Sequence, residues 1–295
     1  MKATNEPICL DEKKRQVVIV RLQGGIGNQL FQYATAYATA KERDAELILD
    51  PTTGFTNDPF RRSFRLSCFT LSGKIADAED LQSSSVVSSI VSRMYRKTEW
   101  ILNTRFGLYY LPRLLRPQFG NPLVLDGYYQ SYRYFSAFQE ALRAEFQIKR
   151  EVISKEAEKW QAVIASEDAI ALHVRRSSYE RKCSADYYIN AVRKLRAERP
   201  HAKVFIFADD HQWVRENLLP FFEASPIQIE SETSDLEEFW LMTTCRHFII
   251  ANSTYSWWAA WLGSYAEKRV VAPRDGWCKG KTVVKDLLPP EWETV

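Results

Sequence analysis

The second half of the chain alternates short apolar runs with amphipathic stretches, and this alternation constrains the fold more than any other feature. Ala169 to Val174 reads as a buried strand and Asp186 to Arg199 as a helix stopped by Pro200. Lys203 to Ala208 reads as a strand, and His211 to Leu219 as a helix ended by Pro220. A short strand at Ile227 to Ile229 precedes a helix over Ser234 to Thr244, with Ser234 as cap and Glu237 at the capping-box position. His247 to Ala251 is apolar and long enough for another strand. Asn252, Ser253 and Thr254 then supply helix N-caps, Tyr255, Trp258, Ala259 and Leu262 recur at helical spacing, and Gly263 stands where the helix would end. Arg269 to Ala272 closes the series as a strand. Strands alternating with helices predict a parallel sheet covered by helices.

The first half opens in the same way. The β-branched run Val17 to Leu22 leads into Gly24-Gly25-Ile26-Gly27-Asn28-Gln29, then a helix from about Asn28 to Lys41, then a strand from Glu46 to Asp50, which is a βαβ unit with a glycine turn. Thr52 to Phe69 is irregular, and its Arg61, Arg62 and Arg65 read as a solvated loop in preference to anion contacts. Leu123 to Gln130 is a further strand, followed by a helix from about Tyr132 to Glu145. Polar sequence around Gln147 to Lys159 marks the boundary between a domain of residues 1–150 and one of residues 151–295, bridged by a helix from about Val152 to Ala165.

Composition excludes several classes. The 295 residues, 45% apolar, suffice for one large or two ordinary domains. A net charge of +3 does not argue for nucleic acid as a partner. The five cysteines are widely spaced with no Cys-x-x-Cys pair, so neither a zinc site nor a disulfide framework is indicated, and a reducing, cytoplasmic setting is expected. No run approaches the ~18 apolar residues of a spanning helix. Between Arg93 and Arg116 six basic residues and one acid, Glu99, are interleaved with Leu, Tyr, Phe and Trp. This segment reads first as a helical subdomain with a basic outer face, and second as a peripheral contact with anionic lipid on the cytoplasmic face of the inner membrane.

Three strand ends carry chemistry. His173-Val174-Arg175-Arg176 puts arginines, which grip phosphate bidentately, at the end of a buried strand, with His173 and Arg175 on one face. Asp209 or Asp210 could accept from the N1–H and amino group of a guanine, and Asp210 could equally cap the helix at His211. Asn252, Ser253 and Thr254 open a helix whose free N–H groups suit phosphate. Together they describe a nucleotide-diphosphate pocket. No Asp-x-Asp pair occurs, so no metal is expected, and arginine plus a helix terminus would stabilise a leaving diphosphate. Gly25 and Gly27 also fit the first two positions of a dinucleotide fingerprint, with Asp50 placed for a ribose. The third position is Leu30, so a dinucleotide-dependent oxidoreductase is a weaker alternative.

The stretches 24–34, 127–135, 173–176, 207–210 and 249–262 (Ile-Ile-Ala-Asn-Ser-Thr-Tyr-Ser-Trp-Trp-Ala-Ala-Trp-Leu) closely resemble bacterial α-1,2-fucosyltransferases of glycosyltransferase family 11, in the family's order and over most of the chain. The resemblance implies a GT-B-like α/β fold of two Rossmann-like parallel-sheet halves with a donor cleft between them. It implies GDP-L-fucose as donor, no cofactor or metal, and inverting transfer to the 2-hydroxyl of a terminal galactose on a glycan acceptor. Arg175 would neutralise the β-phosphate, His173 orient the site, and Asp209 or Asp210 hold guanine. Asn252, Ser253, Thr254 and Ser256 would bind the diphosphate, and Gly25, Gly27 and Asn28 border the cleft near the sugar. The family usually continues His-x-Arg-Arg-Gly-Asp-Tyr, whereas positions 177–179 here are Ser-Ser-Tyr. Ser178 removes a carboxylate beside the diphosphate, so Glu180 and Asp186 become the candidate bases, and a GDP-sugar-binding protein with weak or no transfer activity is a second alternative.

Overall fold

The computed structural model describes residues 16–82, 86–111, 117–118, 120–177, 182–222, 226–230, 233–277 and 284–295, with backbone alone for 82 and 86–88. In chain order the elements are β1 Gln16–Arg21, α1 Ile26–Glu42, β2 Ala45–Asp50, β3 Lys74–Ile75, α2 Ala78–Gln82, α3 Val86–Ile101, β4 Leu123–Leu125 and α4 Gln139–Glu145. They continue with α5 Lys155–Ala165, β5 Ala169–Val174, α6 Ala185–Glu198, β6 Lys203–Ala208, α7 His211–Asn217, β7 Ile227–Gln228, α8 Asp235–Thr244, β8 His247–Ile249, α9 Thr254–Leu262, β9 Val270–Ala272 and β10 Glu293–Thr294. Two α/β halves result. The first sheet has the order β3-β2-β1-β4 and the second β10-β9-β8-β5-β6-β7, and all named strands in both pair in parallel.

Strand order locates the ligand crevice before any side chain is considered. In the first sheet β1 is flanked by β2 and β4, and in the second β5 is flanked by β6 and β8. The chain therefore reverses direction across each sheet at these strands, and the crevice of an open α/β sheet lies at such a point, beyond the carboxyl ends of the strands. Those ends are Leu22–Gly25 in one half and His173–Arg175 with Ile250–Ser253 in the other.

The halves share a core. Helix α1 is buried on nearly every face because it packs on its own sheet and on α9 of the other half. Phe31 sits 4.5 Å from Trp257 and 5.0 Å from Trp258 between ring centroids, and Phe135 stacks on Trp258 at 5.3 Å. The Trp257 indole N–H donates to the Leu287 carbonyl at 3.0 Å, so the C-terminal segment closes the same core. At the far end of α9, Arg143 and Lys268 donate to the last carbonyls of the helix, including those of Trp261 and Gly263. Cations there complement the negative end of the helix and leave its N-terminus facing the crevice.

Several expected elements differ. Strand β4 ends at Leu125 rather than Gln130: Asp126 is held by Arg21 and Arg96 at 2.9 Å each, and Tyr129 turns the chain at φ 50. The expected helix from Tyr132 is two 3-10 turns followed by the short α4. Phe135 and Phe138 leave helical geometry (φ −136 and −119), and Phe135 is fully buried against the α9 tryptophans. The two-residue strands β3 and β10 are too short to show a period. No helix among the described residues is long and apolar enough to cross a membrane.

Candidate functional site: a cleft between two helix N-termini

A cavity of about 790 Å³ lies over both crevices and is lined from both halves. That is within the range of a small-molecule or cofactor site. Its floor is the place where the N-termini of α1 and α9 meet. Gly24 adopts φ 77, which an L side chain rarely takes, and Gly25 at the cap of α1 has open space where a Cβ would project. Gly27 has no such freedom: a Cβ there would lie 2.5 Å from the Thr254 carbonyl carbon and 2.7 Å from its hydroxyl. Asn28 joins the two helices, its Oδ1 accepting from the Thr254 hydroxyl at 3.2 Å and from the Gln130 amide at 2.9 Å. Ser253 caps α9. Two helix N-termini therefore face one space, with the positive ends of both helix dipoles.

Arg175 enters this space from the end of β5. Its Nε lies 3.2 Å from Asp209, which also accepts the backbone N–H groups of Arg176 at 2.7 Å and Ser177 at 3.0 Å, as well as the Ser177 hydroxyl. Burial would raise the Asp209 carboxyl, but the hydrogen bonds from Ser177 and Arg176, with Arg175, hold it below the ordinary range. Asp209 is thus an anion that fixes the loop after β5 and aims Arg175. His173 is buried, and desolvation followed by the Arg175 charge pushes its imidazole down to about 3, so it is neutral in the site.

The structure brings Gly25, Gly27, Asn28, His173, Arg175, Asp209, Ser253 and Thr254 to the cavity. It places other candidates elsewhere. Asp210 caps α7, accepting from the Trp213 N–H at 2.9 Å. Asn252 turns the other way, its amide donating to Gly276 at 3.0 Å, and Ser256 is buried under the first turn of α9. Asp186, in the first turn of α6, lines a separate cavity of about 430 Å³ with Lys182 and Asn190. Arg176 turns from the cleft, donating to the Cys183 carbonyl at 2.9 Å and lying 3.9 Å over the Trp213 ring. Glu180, like Ser178, falls outside the described residues. Asp50 is consumed in structure: buried, it accepts from the Thr52 and Thr53 N–H groups and faces Arg21 at 3.5 Å. Among the described residues no group of three or more His, Cys, Asp or Glu is arranged to hold a metal ion.

The profile of the family described as glycosyl transferase family 11 matches residues 114–291, more than half of the chain. The chain belongs to glycosyl transferase family 11. An Escherichia coli α-1,2-colitosyltransferase is 28% identical over 289 residues, covering 94% of this chain and 98% of that protein. The Escherichia coli O-antigen biosynthesis glycosyltransferase WbnK is 28% identical over 303 residues, covering 92% and 98%. A Bos taurus galactoside 2-alpha-L-fucosyltransferase, SEC1, is 24% identical over 262 residues, covering 83% of this chain and 64% of that protein. In fold, the chain matches POFUT1 in complex with GDP-fucose with a TM-score of 0.53 at 10% identity, over 87% of this chain and 98% of that one. The fold is GT-B-like.

This glycosyl transferase also has cleft residues that the sequence did not point out. Arg61, Arg62 and Arg65, expected in a solvated loop, line the cavity, and Arg65 pairs with Asp235 of the other half at 2.7 Å. Glu238 lines it from α8, its carboxyl pushed up to about 7 by burial and by the neighbouring Asp235 and Asp209. The capping box was the available signal. Once Ser234 and Glu237 are fixed as cap and N3, Asp235 and Glu238 stand three residues apart on one face of the first turn.

Proposed function

We propose that this family 11 enzyme transfers L-fucose from GDP-L-fucose to the 2-hydroxyl of a terminal galactose, with inversion and without a metal. The observation that carries the reading is the convergence of two helix N-termini and Arg175 on one cavity. Diphosphate at the α9 N-terminus, with Arg175 against its β-phosphate, gives the leaving group a fixed positive field in place of a cation. The acceptor oxygen attacks the anomeric carbon from the side opposite the diphosphate. The carbon–oxygen bond to phosphate breaks with its electron pair passing to GDP, and the hydroxyl proton passes to Glu238, which lines the cavity where Asp186 does not. A carboxyl near 7 is well matched to that transfer at neutral pH.

The test is GDP release from GDP-L-fucose with a panel of galactosides, in EDTA. Galactoside-dependent release in EDTA is the expected result, and Arg175→Ala lowers kcat/KM by several orders of magnitude. Release that needs a divalent cation, or a near-normal Arg175→Ala enzyme, would overturn the assignment. A second donor is favoured by the α-1,2-colitosyltransferase similar over 94% of the chain. Competition between GDP-L-fucose and its 3-deoxy counterpart, read as a ratio of kcat/KM values, separates the two.

A further inference from the structure

Helix α3 and the π turn Leu102–Phe106 that follows it bury several polar groups and leave large apolar ones outside. On the inward face Ser92, Glu99 and Asn103 are buried beside the core residue Tyr95, the Ser92 hydroxyl donates to the Val124 carbonyl, and Glu99 accepts the N–H groups of Tyr128 and Tyr129. Their outward face is apolar. Ile90, Met94, Trp100, Ile101 and Phe106 are 51%, 65%, 59%, 42% and 56% exposed. These are most of the exposed large hydrophobic side chains among the described residues, gathered in one short segment, whereas scattered single ones would need no explanation. Ile90, Met94, Lys97 and Ile101 run down one stripe of the helix, with Arg93 and Trp100 on its flank.

The charge on this face has one sign. Arg93, Lys97 and Arg105 are exposed, Arg96 is turned to Asp126, and the only acid of residues 90–106, Glu99, is buried. An apolar ridge ringed by exposed cations complements a surface that is apolar below and negatively charged above. We infer that the outer face of residues 90–106 is an interfacial docking surface for an anionic lipid bilayer. Met94 and Ile101 would enter the acyl boundary, Trp100 would lie at the headgroup level, and Arg93, Lys97 and Arg105 would extend their charges to the lipid phosphates. The Glu99 and Ser92 hydrogen bonds hold the helix to the body of the protein, so docking needs no refolding. The inference is independent of which sugar the enzyme transfers.

Co-sedimentation of the full-length protein with phosphatidylcholine vesicles, with and without phosphatidylglycerol, tests it. Binding is expected only with phosphatidylglycerol and is lost at high salt. Each basic residue contributes about five-fold in partition, so Arg93→Gln, Lys97→Gln and Arg105→Gln together lower binding on the order of 100-fold. Met94→Ser and Ile101→Ser each lower it on the order of ten-fold. Phe221→Ser, another exposed ring outside this face, leaves it unchanged. All these variants keep wild-type GDP release on a soluble acceptor, which shows that they are folded. Wild-type protein that ignores phosphatidylglycerol vesicles, or variants that bind like wild type, would overturn the inference. So would a dimer dispersed by Met94→Ser in sedimentation velocity without vesicle binding, since a second copy would then cover the face.

Discussion

Gly27→Ala is the substitution whose effect follows most directly from the geometry. The new methyl would sit 2.5 Å from the Thr254 carbonyl carbon and 2.6 Å from its oxygen. Ordinary contact is about 3.5–4 Å, so backbone must move by roughly 1 Å, since neither atom is the end of a flexible side chain. Overpacking of this kind costs about 1–3 kcal/mol, offset by about 1 kcal/mol from replacing a helical glycine with alanine. The protein therefore stays folded, with a net loss of about 2 kcal/mol or less. The displaced atoms are the first turn of α9, where the proposed diphosphate binds, and a 1 Å misplacement costs on the order of 100-fold in rate. The expected result is a 100-fold fall in kcat/KM with a small change in thermal midpoint. Gly25→Ala is the control for backbone strain. Its φ is −75 and its Cβ meets nothing within 4 Å, so it folds normally, and any loss in kcat/KM reports a ligand that approaches the Gly25 backbone. A Gly27→Ala enzyme with normal activity would refute the claim that the α1–α9 junction positions the donor.

Two other groups give pH-dependent outcomes. If Glu238 accepts the acceptor proton, kcat/KM rises with pH around a midpoint near 7, and Glu238→Gln abolishes that limb and lowers the rate about 10²–10⁴-fold; an unchanged midpoint in the variant counts against the role. Glu237 accepts from the Ser154 N–H at 2.8 Å and from Ser234 at 2.7 Å, and although burial opposes ionisation these bonds pull its carboxyl down to about 2. A carboxyl whose folded value is depressed stabilises the fold above its unfolded value and loses that contribution as pH falls from about 4.5 toward 2, so Glu237→Gln costs up to about 3 kcal/mol at neutral pH and progressively less in acid. Denaturant unfolding of both proteins across that range checks it, and a difference that does not shrink with acid would contradict the assignment.

The alternation of strands and helices was legible because parallel strands buried on both faces read as continuous apolar runs, as Ala169–Val174 does, with every residue buried. The helix starts were legible where a side chain caps them, at Ser234, Ser253 and Asp210. What stayed hidden depends on distant partners. Gly25 and Gly27 look alike in sequence, yet one faces open space and the other the backbone of a residue 227 positions later. Asn252 and Ser253 are adjacent caps on paper, but only Ser253 faces the cleft, because Asn252 is drawn to Gly276. The capping box places Glu238 beside Asp235 on the first turn of α8, but its burial and the approach of Asp209 from another strand end have no local signature. The Arg61, Arg62 and Arg65 loop has no periodic pattern to place it, and it reaches the cleft through the Gln29 amide, which holds Ser63 and Arg65 at 2.9 Å each.

These contacts also decide which part of the cleft can move. A hinge between the halves would separate Phe31 and Phe135 from Trp257 and Trp258, all fully buried. Each such ring hides about 150–250 Å², so at about 25 cal/mol per Å² exposing even two of them costs roughly 8–12 kcal/mol, comparable to the whole stability of a domain. The loop over the cleft is tied differently. It is anchored at Gly54, wedged against the Leu22 carbonyl, and again at Ser63 and Arg65 by Gln29. At Arg65 it meets the other half through a partly exposed pair with Asp235, and exposed pairs contribute about 1 kcal/mol or less. The span between Gly54 and Ser63 carries Arg61, Arg62 and Phe60, which is 62% exposed. Movement at this cleft is therefore cheapest in that loop, with the two helix N-termini beneath it fixed by the aromatic core.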